Sequence, residues 1–185
     1  SKIRGFFDPE ALQVLKGGFS DKPILQSLKN NVRNSKQIIS LVESLTGAKI
    51  GNAKVNETAE DPLILKIKSV SLASTLKQTI KSLVNKKVTL EDIGLIVSSE
   101  ISSENMSRVL KVVEEIGHEI NGSTINAGLK NKLLFGDVKN FKGLEWPVII
   151  GVGFNIENED PAYLNEKYVA VTRANYTVIL IELET

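Results

Sequence analysis

Short apolar runs of strand length alternate along this chain with longer segments whose apolar residues recur at helical spacing, and that alternation constrains the fold more than any other feature. A strand, a helix and a further strand imply a crossover, and crossovers lay successive strands parallel with helices over the faces of the sheet. Pro23 to Leu28 reads as the first strand. It leads into the polar run Asn30, Asn31, Val32, Arg33 and Asn34, after which Ser35 can cap a helix bearing Ile38, Ile39, Val42 and Leu45. Gly47 ends that helix, where a left-handed residue costs least. Residues 47–61 read as a loop and as the most flexible stretch. Leu63 to Ser69 alternates apolar residues with Lys66 and Lys68, the pattern of a strand half exposed to water. Leu72, Leu76, Ile80, Leu83 and Val84 mark an amphipathic helix, and Ile93 to Val97 is a short apolar run of the kind a buried parallel strand shows. Ser103 is expected to cap a helix lined by Met106, Val109, Leu110, Val113 and Ile116 and stopped by Gly117. Leu133 to Val138, Val148 to Val152 and Thr177 to Leu183 complete the strands, with a helix from about Pro161 to Arg173 between the last two. The fold class predicted is α/β, a mostly parallel sheet flanked by helices, with no internal repeat.

Composition narrows the function classes. At 185 residues, 42% hydrophobic and 24% charged, the chain suits one core. Its organisation is expected to be an N-terminal segment over 1–22 and an α/β domain over 23–185. The longest apolar stretches, such as Pro147 to Val152, are strand-sized, so no membrane span and no signal peptide are legible. Without cysteine there is neither a disulfide framework nor a thiolate site, and His118 alone cannot anchor a histidine zinc site. A reducing, cytoplasmic setting fits. The net charge of +1 hides an asymmetry: residues 1–90 carry 15 Lys/Arg against 7 Asp/Glu, and residues 91–185 carry 8 against 15. Such halves either interleave in space or present a basic face to phosphates or a partner. Ser1 in the initiator position suggests a piece of a longer protein.

Ligands of open parallel sheets bind outside the carboxyl ends of the strands, so polar residues just after strands are the ones to inspect. Three clusters qualify: Asn30 to Ser35, Asp137 to Trp146, and Tyr168 to Ala174. Read alone, each has an ordinary explanation. Arg173 could complement a helix C-terminus, Arg33 could be a paired loop arginine, and Glu145 with Lys142 could be a surface ion pair around a glycine turn. Trp146 reads as packing against the following strand rather than stacking on a base.

Together the clusters carry a resemblance. Lys142-Gly143-Leu144-Glu145-Trp146 before an apolar strand, and Tyr168-Val169-Ala170-Val171-Thr172-Arg173-Ala174 before the last strand, closely resemble motifs V and VI of UvrD/Rep-like superfamily 1 helicases. Leu28-Lys29-Asn30-Asn31-Val32-Arg33-Asn34-Ser35 before a helix is similar to motif IV of that family. The resemblance spans about residues 24–183 and implies the second, C-terminal RecA-like motor domain, which closes over ATP and Mg²⁺ held mainly by an N-terminal RecA-like domain. It implies Arg173 and then Arg33 as arginines facing the γ-phosphate, where fixed positive charge speeds phosphoryl transfer. It further implies Glu145 at the nucleotide sugar, Gly143 as a point of close backbone approach, Thr172 orienting the turn beside Arg173, and Lys139, Asn140 and Lys142 along a single-stranded DNA groove, with RNA also possible as the track.

The pattern has departures. Asp137, Val138 and Lys139 stand where many relatives have Thr-x-His, and Asp137 would repel a phosphate unless it binds a neighbouring amide or lysine. Phe6 to Gln13 matches the Asp-Pro-x-Gln segment of motif III only with the Gln displaced. No Gly-x-x-x-x-Gly-Lys-Ser/Thr loop and no Asp-Glu pair after an apolar strand occur, so the isolated chain is expected not to hydrolyse ATP. The interval of about a hundred residues between motifs IV and V is too short for a large accessory insertion, so a compact motor is expected. The competing reading is a non-catalytic nucleic-acid or protein-binding module that retains the helicase fold. A self-sufficient hydrolase finds no support, since no paired carboxylates or nucleophile and base stand out.

Overall fold

The computed structural model describes residues 30–54, 60–116, 118–119 and 131–184. The segment 1–22, the motif III match and the expected strand Pro23 to Leu28 lie outside the described residues. In chain order the elements are β1 (Asn30–Asn31), α1 (Lys36–Thr46), β2 (Asn52–Ala53), β3 (Leu63–Lys68), α2 (Leu72–Asn85), β4 (Ile93–Val97), α3 (Ser103–Ile116), β5 (His118–Glu119), β6 (Leu133–Asp137), β7 (Trp146–Val152), α4 (Pro161–Thr172) and β8 (Ala174–Glu184).

The main sheet is parallel throughout, in the order β3-β8-β7-β4-β6-β5; five strands are of full length and the two-residue β5 closes one edge. Period-two alternation sends neighbouring side chains to opposite faces, and both faces are covered. On one face Leu95, Ile150 and Ile181 pack with Leu72, Leu76 and Ile80 of α2 and Val109 and Val113 of α3. On the other, Ile96, Ile149 and Leu180 pack with Ile38 and Val42 of α1 and Ala170 and Val171 of α4. The result is a three-layer α/β/α sandwich, the class the alternation predicts.

Local chemistry sets the helix ends. The Ser35 hydroxyl accepts the Ile38 N–H at 3.3 Å, and Gly47, at φ +67°, closes α1 with its N–H on the Glu43 carbonyl. Asp160 caps α4 through the N–H groups of Ala162 and Tyr163, with Pro161 in the first turn. Two expectations are corrected. The cap of α3 is Ser102 rather than Ser103, because it is the Ser102 hydroxyl that reaches the Asn105 N–H, at 3.2 Å. Val84 is 44% exposed, since the buried stripe of α2 ends at Leu83. Within the stretch read as a loop, Asn52–Ala53 pairs in parallel with Asn30–Asn31, holding residues 48–54 beside the polar run that precedes α1.

Candidate functional site

Trp146 opens β7 and pairs with Ala174, which opens β8, so Glu145 and Arg173 precede adjacent strands and meet at the same end of the sheet. The Trp146 N–H donates to the Arg173 carbonyl at 2.8 Å, fixing that meeting. Arg33, far off in sequence, joins them: its Nε lies 2.5 Å from Glu145 Oε1, and both side chains are nearly half exposed. Arg173 spreads its donors over three acceptors, with Nη1 on the Leu144 carbonyl at 3.2 Å, Nε on the Val169 carbonyl at 3.3 Å and Nη2 on the Thr172 hydroxyl at 3.3 Å. Thr172 is buried and donates its own hydroxyl to the Tyr168 carbonyl at 2.8 Å. It therefore braces Arg173 from within the helix.

The charges of this group act on one another. Burial, and then the charge of Arg33, hold the Arg173 guanidinium below its ordinary pKa, with Glu145 and Tyr168 pulling the other way. Arginine stays protonated at any working pH. Glu145 pairs with Arg33 and acts on Arg173 only through space, so two guanidinium groups stand against one carboxylate. A groove of about 510 Å³ opens beside them, lined by Asn31, Arg33, Lys49, Ile50, Tyr168 and Thr172. Gly143 sits at φ +86°, and a Cβ there would meet nothing within 4 Å. Backbone conformation, rather than close packing within this chain, calls for glycine at that position.

The strand-end rule is corrected here. Arg33, Glu145 and Arg173 gather at the amino ends of β7 and β8, whereas Asp137 to Lys139 lie at the carboxyl end. A parallel sheet obliges the chain to return before each new strand. The turn after β6 makes that return to Glu145, and α4 makes it to Arg173.

At the carboxyl end, Asp137 and Asn140 bind one another's backbone. The Asp137 carboxylate accepts the Asn140 N–H and the Asn140 carboxamide oxygen accepts the Asp137 N–H, both at 3.0 Å. The charge of Asp137 is spent on this turn, and Asn140 builds the turn too, folding over Gly136, where a Cβ would come within 2.6 Å of its Oδ1. Lys139 and Lys142 are exposed. Lys139 borders a cleft of about 440 Å³ whose other walls include Glu100, Val138, Asp160, Tyr163 and Glu166. Glu166 accepts the Ser99 N–H at 2.9 Å and the hydroxyls of Ser99 and Ser98 at 3.1 and 3.4 Å. The cleft combines the apolar side chains of Val138, Ala162 and Val169 with three carboxylates, those of Glu100, Asp160 and Glu166. Trp146 is buried, donates Nε1–H to the Glu91 carbonyl at 2.9 Å and meets Phe141 edge-on, which is the packing role read from sequence.

Sequence reasoning missed three side chains. Asn34 is 2% exposed and donates to the carbonyls of Thr172 and Ala174. Lys167, 1% exposed, donates to the carbonyls of Asn155, Ile156 and Asn158 at 3.3, 2.9 and 2.7 Å, pinning the loop before α4; burial lowers its pKa. The Tyr163 hydroxyl accepts the Asn155 N–H at 2.7 Å and donates to the Gly153 carbonyl at 3.1 Å, and burial raises its pKa. Asn34 had a signal, since it lies between Arg33 and the helix cap Ser35 in one of the three polar clusters; Lys167 had none. Among the described residues no group of three or more His, Asp or Glu side chains could hold a metal ion, and no helix is long and apolar enough to cross a membrane.

The chain shares its fold with the C-terminal domain of a possible DNA helicase from Lactobacillus plantarum WCFS1: the TM-score is 0.62 at 15% sequence identity, over 83% of this chain and 88% of that one. No protein-family model and no curated protein matches the sequence.

Proposed function

We propose that this chain is the C-terminal motor domain of an ATP-dependent DNA helicase or translocase of the UvrD/Rep-like superfamily 1 type. It supplies Arg33 and Arg173 to ATP, and Glu145 to the nucleotide sugar, at a site completed by an N-terminal RecA-like domain. One observation carries the reading: Arg33, Glu145 and Arg173, drawn from three sequence clusters, converge in space with two guanidinium groups to one carboxylate, and Arg33 and Thr172 line the groove beside them. Guanidinium groups suit phosphate oxygens and not a metal, so Mg²⁺ enters with ATP on the other domain. ATP bridging the two domains favours the closed state by the contacts that exist only there, and hydrolysis removes them. Lys139 and Lys142 offer point charges to single-stranded nucleic acid.

The three carboxylates that line the cleft with Lys139 favour a second reading of it, in which this part of the domain binds protein rather than nucleic acid. Both readings meet one experiment: nucleic-acid-stimulated ATP hydrolysis by a protein carrying this chain together with a P-loop domain, with the 185-residue chain alone as blank. Turnover that is stimulated by DNA, lost in Arg173→Ala and absent from the blank supports the motor. No turnover, with or without DNA or RNA, replaces it with the binding module.

A further inference from the structure

Arg33 and Arg173 come from loops 140 positions apart, and nothing in either loop alone fixes their spacing. Arg33 reaches Arg173 indirectly through Glu145, whose neighbours Leu144 and Trp146 bond Arg173, and Asn34 makes the direct link. Its Nδ2 donates both protons across the domain, to the Ala174 carbonyl at 2.7 Å and the Thr172 carbonyl at 3.2 Å, which flank Arg173 in sequence. Its Oδ1 accepts from Asn31 Nδ2 at 3.3 Å, and its backbone N–H, like that of Arg33, donates to Asn31 Oδ1 at 2.9 Å. Every donor of this buried carboxamide is therefore used, and none is spent on solvent.

We propose that Asn34 is the positioning residue that makes Arg33 and Arg173 one anion-binding unit, set at a fixed spacing before any nucleotide or partner domain arrives. The idea rests on the ATP-site reading for its consequence but not for its geometry. Ser35 caps α1 and the Asn31 side chain shapes the loop, yet both act within the loop; among the described residues Asn34 is the side chain of this loop that bonds the carbonyls on either side of Arg173. Preorganised charge is worth more than charge that must be assembled on binding, because the ordering cost is already met. Asn34 touches no phosphate in this scheme. It acts through Arg33.

The test has two arms. In the 185-residue chain, Nε–H exchange with water is followed by NMR for Arg33 and Arg173 in wild type, Asn34→Ala and Asn34→Ser; serine, which keeps one donor, serves where alanine impairs folding. The expected result is that Arg33 Nε–H exchange rises roughly tenfold, as loss of about one net hydrogen bond implies, with less change in Asn34→Ser. Arg173, held by the Leu144 and Val169 carbonyls, and the core amides of Ile149 and Leu180 stay protected. Unchanged Arg33 exchange in a folded variant overturns the proposal, as does equal loss of protection at Arg33 and in the core. In the second arm, ATP turnover by the two-domain protein is compared for Asn34→Ala in wild-type and Arg33→Ala backgrounds. A positioning residue loses its effect once Arg33 is gone; an effect that persists unchanged is merely structural and refutes the role. A wild type with no turnover defeats the ATP-site reading, and the exchange arm still decides the positioning.

Discussion

Replacing Arg173 separates chemistry from stability, because the structure sets different magnitudes for the two. Truncation to alanine removes three hydrogen bonds, to the Leu144 and Val169 carbonyls and the Thr172 hydroxyl. Each is worth about 1 kcal/mol net, and Leu144, Val169 and Arg173 are only partly buried, so water can replace part of what is lost. Removing Arg173 also relieves its repulsion with Arg33. The fold should therefore lose about 1 to 2 kcal/mol, a fall in Tm of a few degrees for a chain of this size. If Arg173 meets the γ-phosphate, turnover falls by about 10³- to 10⁵-fold, or about 4 to 7 kcal/mol of barrier. Arg173→Lys keeps the charge, but one ammonium cannot span Leu144, Val169 and a phosphate, so it should behave nearer to alanine than to wild type. The assay is steady-state ATP hydrolysis by the two-domain protein at saturating single-stranded DNA, beside thermal unfolding of each variant. Turnover within about tenfold of wild type, in a variant whose Tm has moved by only a few degrees, would refute the assignment.

Three further outcomes are expected. Lys139→Ala should lower the salt dependence of single-stranded DNA binding by about one phosphate contact, a slope change of about 0.7; an unchanged slope hands the cleft to the protein-binding reading. Gly94→Ala should destabilise the domain by about 1 to 3 kcal/mol in chemical denaturation, since its Cβ would come within 2.7 Å of Phe141 and 2.8 Å of Ile149; an unchanged midpoint would mean that both side chains can withdraw. Tyr163 has its pKa raised by burial, so above the ordinary tyrosine pKa of about 10 the unfolded chain gives up this proton first and stability falls as pH rises. The stability advantage of wild type over Tyr163→Phe should accordingly shrink above that pH, and a constant difference would rule out the buried phenol as its source.

Much of the fold was legible because its signals are local. The run Ile93 to Val97 is buried at every position and the stripe of α1 is buried as its periodicity says, while α3 buries Val109 and Val113 of its expected stripe together with Val112, and Met106, Leu110 and Ile116 pack against the core partly buried. What escaped the sequence is non-local. A strand of two residues such as Asn52–Ala53 is too short to show alternation, and its pairing with Asn30–Asn31 exists only once α1 has turned the chain back. Helix α4 has no clean apolar stripe because Lys167 is as buried as its apolar neighbours Leu164 and Val171, and only the folded loop supplies carbonyls for its ammonium. The three clusters were legible as residues but not as a place. Reading along the chain locates the ends of strands, yet which end a returning segment reaches depends on how it crosses the layer. Asn34 shows the same limit, since its partners lie about 140 positions away.

Helix α4 begins at the rim of the acidic cleft, where Asp160 caps it and Glu166 holds Ser98 and Ser99, and ends at Arg173 beside the cationic groove. Twelve residues at 1.5 Å each make a rod of about 18 Å. Tyr163, Leu164, Ala170 and Val171 are buried along it, and close-packed interiors yield little to local strain. The two surfaces thus share α4 as a common wall, with Glu166 and Val169 lining the cleft and Tyr168 and Thr172 lining the groove.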